Sequence, residues 1–479
     1  MAATRNSRRA FARTTASRRA PALADQKPLF RGTDHGHPIR LRPDDFGARQ
    51  QGGGWGPSAE AFLRLNEPAL SLLDVRAELR SSNTGPQVVL LPGARAGAIP
   101  LRSGITAHVV GGLVIRPRFG WAGVGRVLSQ IGWHAAPELV DLPMVPGSGR
   151  EVPPWVLAGP AIARLAELLR SVTRGYRDAE ELLSRPRGRI LWPDYKRELV
   201  RGRWHQIPCR FPDLTGDLRL RRHAKWTLER LHRDLVAVGG RDPIAVLIGA
   251  IAARLLGGLA DVQPLLPTPG ELRRALGGNA LLADAVRRGV EAMAWIVEER
   301  GLGGGREMDG LAWYLSLDSL WESFVESVLR REAVLVGAEL RCARLRETTF
   351  PIEWQSGSVR SLGMLAPDFV FRRRGSVTVI DAKYKAHLAE IDEVGWRTMT
   401  DDLRDSHRAD VHQALAYAAL FDADEVTTRL VYPLRVDTWR ALSANGRDLA
   451  RAELVQGGRK LRLELQGLPF GMSGVTSKG

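Results

Sequence analysis

Residues 366–385, APDFVFRRRGSVTVIDAKYK, constrain this chain more tightly than any other stretch. Two short runs, Phe369–Phe371 and Val377–Ile380, are rich in β-branched and aromatic residues, and Arg372–Ser376 between them is polar with one glycine. That pattern predicts a β-hairpin. Side chains alternate along a strand, so Val377, Val379, Asp381 and Lys383 share one face and Thr378, Ile380 and Ala382 the other. If Arg372 faces Val377, the same register carried outward sets Asp368 opposite Asp381. Opposed Cβ atoms lie about 4.5–5.5 Å apart, and two carboxylates that close repel unless a cation lies between them. A hard divalent ion with oxygen ligands removes the conflict. Lys383, on the same face, is placed to orient a water and offset charge on a phosphate. A slip of one residue would turn Asp368 away. The alternative is an ordinary exposed hairpin with surface charges. Against it, aspartate is disfavoured in strands, and Asp381 directly follows an apolar run.

Two helices flank the hairpin. Ser316–Arg330 places Leu317, Leu320, Trp321, Phe324 and Val328 at helical spacing. Glu322 sits beside that stripe, with Glu326 one turn on, so Glu322 is either a third acidic ligand or part of a solvated flank. Downstream, Ala409–Phe421 carries Gln413 and Tyr417 one turn apart among Ala, Leu and Val. Gln413 either hydrogen-bonds near the same centre or is a satisfied half-buried amide.

The 69 Lys and Arg against 53 Asp and Glu leave a net charge of +16, which favours a polyanionic partner such as DNA. The two cysteines, Cys209 and Cys342, are far apart and lack zinc-site spacing, so nothing requires an oxidising compartment and a cytoplasmic protein is expected. No apolar run reaches about 18 residues, so no membrane span is expected. The first twenty residues are Arg- and Ser-rich without acids. They mimic a transit peptide but read rather as a basic arm. His35 and His37 read as solvated. Gly303-Gly304-Gly305 is not a phosphate loop, because no Lys-Ser/Thr follows.

The length, 479 residues, allows several domains. The expected fold is a multi-domain α+β or α/β chain. Residues 1–55 are expected to be a flexible basic arm. Residues 56–157 form an α+β domain, with helices at Ala59–Leu65 and Leu70–Leu79 and strands at Val88–Leu91 and Ala107–Arg116. Residues 158–305 form a helical middle region, with helices at Ile162–Val172, Leu218–Val236, a buried Pro243–Leu259, Glu271–Leu276 and Ala280–Glu299. Residues 306–470 form the last domain, a mixed sheet flanked by helices, and 471–479 a frayed tail.

A glutamate helix, then Pro-Asp, then a strand bearing Asp-x-Lys, then a helix with Gln resembles the PD-(D/E)xK nuclease superfamily. The wording LDSLWESFVESVL, APDFVF, VIDAKYK and ADVHQALAYA is similar to McrC, the cleavage subunit of modification-dependent restriction systems. GLVIRPRFG at 112–120, YRDAEELLSRPRGRI at 176–190 and the stretch 203–231, in which a Cys strand precedes a long helix, extend the likeness upstream. Leu220-Arg221-Arg222-His223 and the Asp-Ala-Lys triplet depart from the family's usual wording. The resemblance implies a Mg²⁺-dependent endonuclease (Mn²⁺ possible) with Asp368, Asp381 and Glu322 as metal ligands. Lys383 would be catalytic and Gln413 a secondary member. It also implies a McrB-like AAA+ GTPase or ATPase partner, docked on roughly 58–300. Two other readings remain: a non-cleaving DNA-binding activator of a motor, and a free-standing repair nuclease.

Overall fold

The structure, a computed structural model, describes residues 27–46, 56–82, 85–131, 137–140, 142–148, 151–172, 175–215, 218–239, 242–277, 284–297, 309–355, 362–373, 375–423, 425–456 and 459–472. The glycine run at 303–305, the basic stretch 1–26 and the tail beyond 472 lie outside the described residues. The architecture is mixed α/β in several layers, as expected. Among the described residues, no helix is long and apolar enough to cross a membrane.

The C-terminal part is built on a six-stranded mixed sheet. Its order is Glu339–Cys342, Phe369–Arg373, Ser376–Ala382, Glu425–Leu434, Arg459–Pro469 and Leu449–Gln456. The three central pairings include two parallel ones, Ser376–Ala382 with Glu425–Leu434 and the latter with Arg459–Pro469. Parallel strands need both faces covered. The helix Leu317–Val336 covers one, where Trp321, Phe324, Val325 and Val328 join Phe369, Ile380, Ala382 and Val431 in the main core. The helix Asp401–Ala418 covers the other, where Tyr417 and Ala418 pack on Val370, Val377 and Val379. The strand residues divide between the two cores by odd and even position, as alternation requires.

Trp321 fastens the first helix to the middle of the sheet. It is fully buried, stacks on Phe470 at 6.0 Å, and its indole N–H donates to the Val431 carbonyl at 3.2 Å. Large-to-alanine changes at such positions cost about 3–5 kcal/mol. Trp321→Ala is therefore expected to destabilise the chain by about that amount, read as a lower denaturant midpoint in equilibrium unfolding.

The N-terminal half differs from expectation in several places. The arm 1–55 is not wholly unstructured. Leu29–Thr33 pairs in parallel with Val109–Arg116, and Ile39–Leu41 pairs with Gly85–Pro92. Phe30, Ile39 and Leu41 pack into a small core with Phe62, Leu90 and Ile115, so these short strands are ordered by tertiary partners rather than local propensity. Leu70–Leu79 is not one helix. The helix Gly56–Leu72 ends there, Asp74 turns the chain at φ +52°, and Val75–Ser82 is a strand. Arg95–Arg102 is a further strand.

The middle region carries the expected helices Pro154–Ser171, Arg219–Gly239, Pro243–Gly257, Pro269–Gly277 and Asp284–Val297. It is not purely helical, because Gly175–Leu183, Ile207–Thr215 and Arg189–Ile190 form a three-stranded antiparallel sheet. Nor is Pro243–Gly257 buried all round. Ile244, Ala245, Ile248 and Ala252 face the core, while Val246, Leu247 and Ile251 are exposed. The expected boundary at 306 is crossed by strand pairing. Trp313–Ser316 pairs with Arg95–Arg102 and Glu138–Leu139, so the last domain gives its first strand to the N-terminal sheet. Gly97 permits this contact, since a Cβ there would lie 2.3 Å from the Trp313 carbonyl.

Candidate active site

The hairpin forms in the register that aligns the two aspartates. Arg372 pairs with Val377, Val370 with Val379 and Phe369 with Ile380. Arg373 pairs with Ser376, leaving a two-residue loop in which Gly375 takes φ +71°. Two-residue hairpin loops require such left-handed geometry, which glycine adopts without a Cβ clash. Asp368 is one residue outside the ladder, at the position facing Asp381. Its backbone is fixed by the Ala343 N–H, which donates to the Asp368 carbonyl at 2.9 Å. The Thr348 hydroxyl donates to the Pro367 carbonyl at 2.7 Å. Its side chain crosses to the second strand, where Oδ2 accepts from the Ala382 N–H at 2.8 Å.

Burial first, and then the neighbouring Asp381 carboxylate, push the Asp368 carboxyl well above the usual range. Asp381 is itself buried, 4% exposed, with Oδ2 at 2.8 Å from Lys383 Nζ. Burial alone would lower the Lys383 ammonium, but Asp381, and then Asp410 and Asp368, offset this and raise it. Lys383 Nζ also donates to Gln413 Oε1 at 2.9 Å, and Gln413 Nε2 donates to the Tyr417 hydroxyl at 2.7 Å. Both ends of the Gln413 amide are thus engaged, and the helix turn that separates Gln413 from Tyr417 is what aligns them.

Glu322 stands on the other helix. Desolvation raises it to about 7, with Asp318 and then Asp381 adding to the effect and Lys383 opposing it. Its side chain still opens to solvent, which places it at the edge of the acidic centre. The helical partner of Glu322 is Asp318 rather than Glu326. Desolvation and then Asp74 raise Asp318 to about 6, whereas Glu326 is bound to Arg330 and Arg344. Asp318 was missed in the sequence although it lies one turn before Glu322, on the same helix face. Among the described residues, no three His, Cys, Asp or Glu side chains gather closely enough to hold a cation unaided.

A second polar group adjoins the first. Lys385 Nζ donates to both Asp410 oxygens at 2.7 and 2.9 Å and to Ser406 Oγ at 3.1 Å. Lys385 follows Lys383 by two residues and Asp410 precedes Gln413 by one turn, so sequence periodicity contained the signal. His35 is not simply solvated. Its ring lies 5.9 Å from that of Tyr384, and desolvation followed by Arg118 lowers it to about 4.

Residues 296–433, which include all five candidate residues, match the family model described as McrBC 5-methylcytosine restriction system component. The likeness to that family is thus confined to this segment. No curated protein sequence matches the chain. Among solved structures, a refined half-complex from a tetradecameric assembly of Thermococcus gammatolerans McrB AAA+ hexamers with bound McrC is similar at 16% identity. Its TM-score is 0.40, with 94% of this chain and 97% of that chain covered. The cryo-EM structure of the Thermococcus gammatolerans McrBC complex is similar at 15% identity and a TM-score of 0.27, covering 63% and 87%.

Proposed function

We propose that this chain is the cleaving subunit of a McrBC-like restriction and antiviral defence system, a Mg²⁺-dependent endodeoxyribonuclease of the PD-(D/E)xK type. One observation carries the reading. The hairpin register brings the carboxylates of Asp368 and the buried Asp381 face to face and sets a lysine beside them, and burial, then the Asp381 carboxylate, push the Asp368 carboxyl well above its ordinary range. An oxygen-ligated divalent cation fits that electrostatic deficit, and Mn²⁺ suits the same donors.

Asp368 and Asp381 would hold the ion, with Glu322 at the rim as a further acidic group. When bound, the ion supplies Lewis acidity toward a phosphoryl oxygen and acidifies a water. The Lys383 ammonium orients the attacking water and stabilises charge that develops on the phosphate. Gln413 fixes Lys383, and Tyr417 fixes Gln413. The residues before the helix Leu317–Val336 are far more than such a centre needs. We assign roughly 58–300 to docking on an AAA+ GTPase or ATPase partner of the McrB kind, which selects the DNA and drives cleavage. Nothing in this sequence supplies a phosphate loop of its own. The basic net charge suits a DNA substrate, and a cytoplasmic location follows from that role.

The test is plasmid DNA incubated with the purified chain, its AAA+ partner, nucleotide and Mg²⁺. Nicked or linear product that disappears with EDTA supports the assignment. Intact plasmid in both Mg²⁺ and Mn²⁺ refutes it.

Glu322 adds a pH dependence. Without metal it keeps its proton up to about pH 7, and a protonated acid is a poor ligand. Apparent Mg²⁺ affinity is therefore expected to rise between roughly pH 6 and pH 8 and to lose part of that rise in Glu322→Gln. Calorimetric titration across that range measures it, and an identical pH profile in Glu322→Gln would remove Glu322 from the site.

A further inference from the structure

Of the three residues that follow the hairpin, two are held by the helix Asp401–Ala418 and one by the N-terminal half. Lys383 is held by Asp381 and Gln413, and Lys385 by Asp410 and Ser406. Tyr384 lies between them. Alternation sends it to the opposite side, away from the Gln413 helix. It is 3% exposed, and its ring meets residues of the N-terminal half. The Arg118 guanidinium stands over that ring, 4.5 Å from its centroid, and Phe119 meets it edge-on at 5.9 Å.

Arg118 is in turn fixed by Asp34, whose side chain has no exposed surface. The Arg118 N–H donates to Asp34 Oδ1 at 2.5 Å, and Arg118 Nε lies 3.4 Å from Asp34 Oδ2. Asp34 ends the parallel strand Leu29–Thr33, its N–H donating to the Arg116 carbonyl at 3.1 Å. The backbone of the loop is equally defined, with the Lys383 N–H on the Val431 carbonyl and the Lys385 N–H on the Lys383 carbonyl, each at 2.9 Å. Lys383 thus precedes, by one residue, a side chain packed on the N-terminal half.

We infer that Tyr384 is a positioning residue: clamped by the Arg118–Asp34 pair, it sets Lys383 for cleavage and makes the active loop answer to the state of the N-terminal half. This rests on the phosphodiesterase reading above. The ring supplies the contact and the guanidinium the charge, so Tyr384→Phe and Arg118→Lys each preserve most of it, while Arg118→Ala removes it.

The experiment compares these three variants with the parent, as full chains with the AAA+ partner, on plasmid DNA. Arg118→Ala is expected to lower kcat about tenfold with an unchanged KM for DNA, as loss of orientation rather than binding does. Hydrogen exchange at the Lys383 and Lys385 amides should accelerate in the same variant. Arg118→Lys and Tyr384→Phe should retain most of the parental kcat and exchange protection. Parental kcat and parental exchange in Arg118→Ala would overturn the inference. So would a loss of kcat that tracks loss of folded protein in all three variants alike. Accelerated exchange in Arg118→Ala, with a parent that itself never cuts DNA, would support the contact and refute the phosphodiesterase reading instead.

Discussion

Asp381→Ala and Lys383→Ala are each expected to lower plasmid cleavage by roughly 10²–10³-fold, the usual cost of removing one preorganised electrostatic group from a reacting centre. The two losses should differ in kind. Asp381 is the buried carboxylate that Asp368 faces; on the proposed reading its removal takes away a ligand, and raising Mg²⁺ is expected to recover part of the rate. Lys383 is tied to Asp381 at 2.8 Å and to Gln413 at 2.9 Å. Its removal leaves the ion's donors in place, so no amount of Mg²⁺ restores the rate. Cleavage rates measured against Mg²⁺ concentration separate the two. Parental rates in either variant would show that the hairpin is not the reacting centre.

Asp368→Asn is expected to separate stability from activity, with opposite signs. The folded-state pKa of Asp368 lies above its ordinary value of 3.8, from burial and then from Asp381. A carboxyl with a raised folded pKa stabilises the fold below its unfolded pKa, and that contribution is lost as pH rises through the folded value. At neutral pH the metal-free parent therefore carries an uncompensated cost. Asparagine has nearly the same shape, cannot ionise, and keeps an oxygen for the Ala382 N–H. The metal-free variant is expected to melt above the parent at neutral pH, with the difference vanishing toward about pH 4, where both carry a neutral side chain. Mg²⁺ should raise the melting temperature of the parent and leave the variant almost unmoved. Cleavage by the variant should be lost. A variant that melts below the parent in EDTA at neutral pH would contradict the electrostatic argument.

The hairpin was legible because three local signals agreed: β-rich runs, a polar loop with glycine, and alternation that set Asp381 and Lys383 on one face. Its register stayed open in the sequence, and the two-residue loop of the structure sets Arg372 on Val377. The helices of Trp321 and Gln413 were legible from their apolar spacing. The rest depends on contacts between distant segments. Leu29–Thr33 has no strand signal of its own and is ordered by Val109–Arg116, while Trp313–Ser316 crosses back to a sheet more than two hundred residues upstream. One-turn spacing sets both Asp318 and Glu326 beside Glu322, so spacing alone does not pick its acidic neighbour. Only the positions of Arg330 and Arg344 show that Glu326 is already neutralised. The Arg118–Tyr384 contact likewise has no local sign, since it joins residues from two halves of the chain.

The central claim, that Asp368 and Asp381 face each other in order to share a divalent cation, is tested most directly by Mn²⁺ anomalous scattering from crystals of the chain. A single strong peak is expected between the two carboxylates, about 2.0–2.3 Å from an oxygen of each. That peak should vanish in Asp381→Ala. A peak bound elsewhere, or none at saturating Mn²⁺, would contradict it.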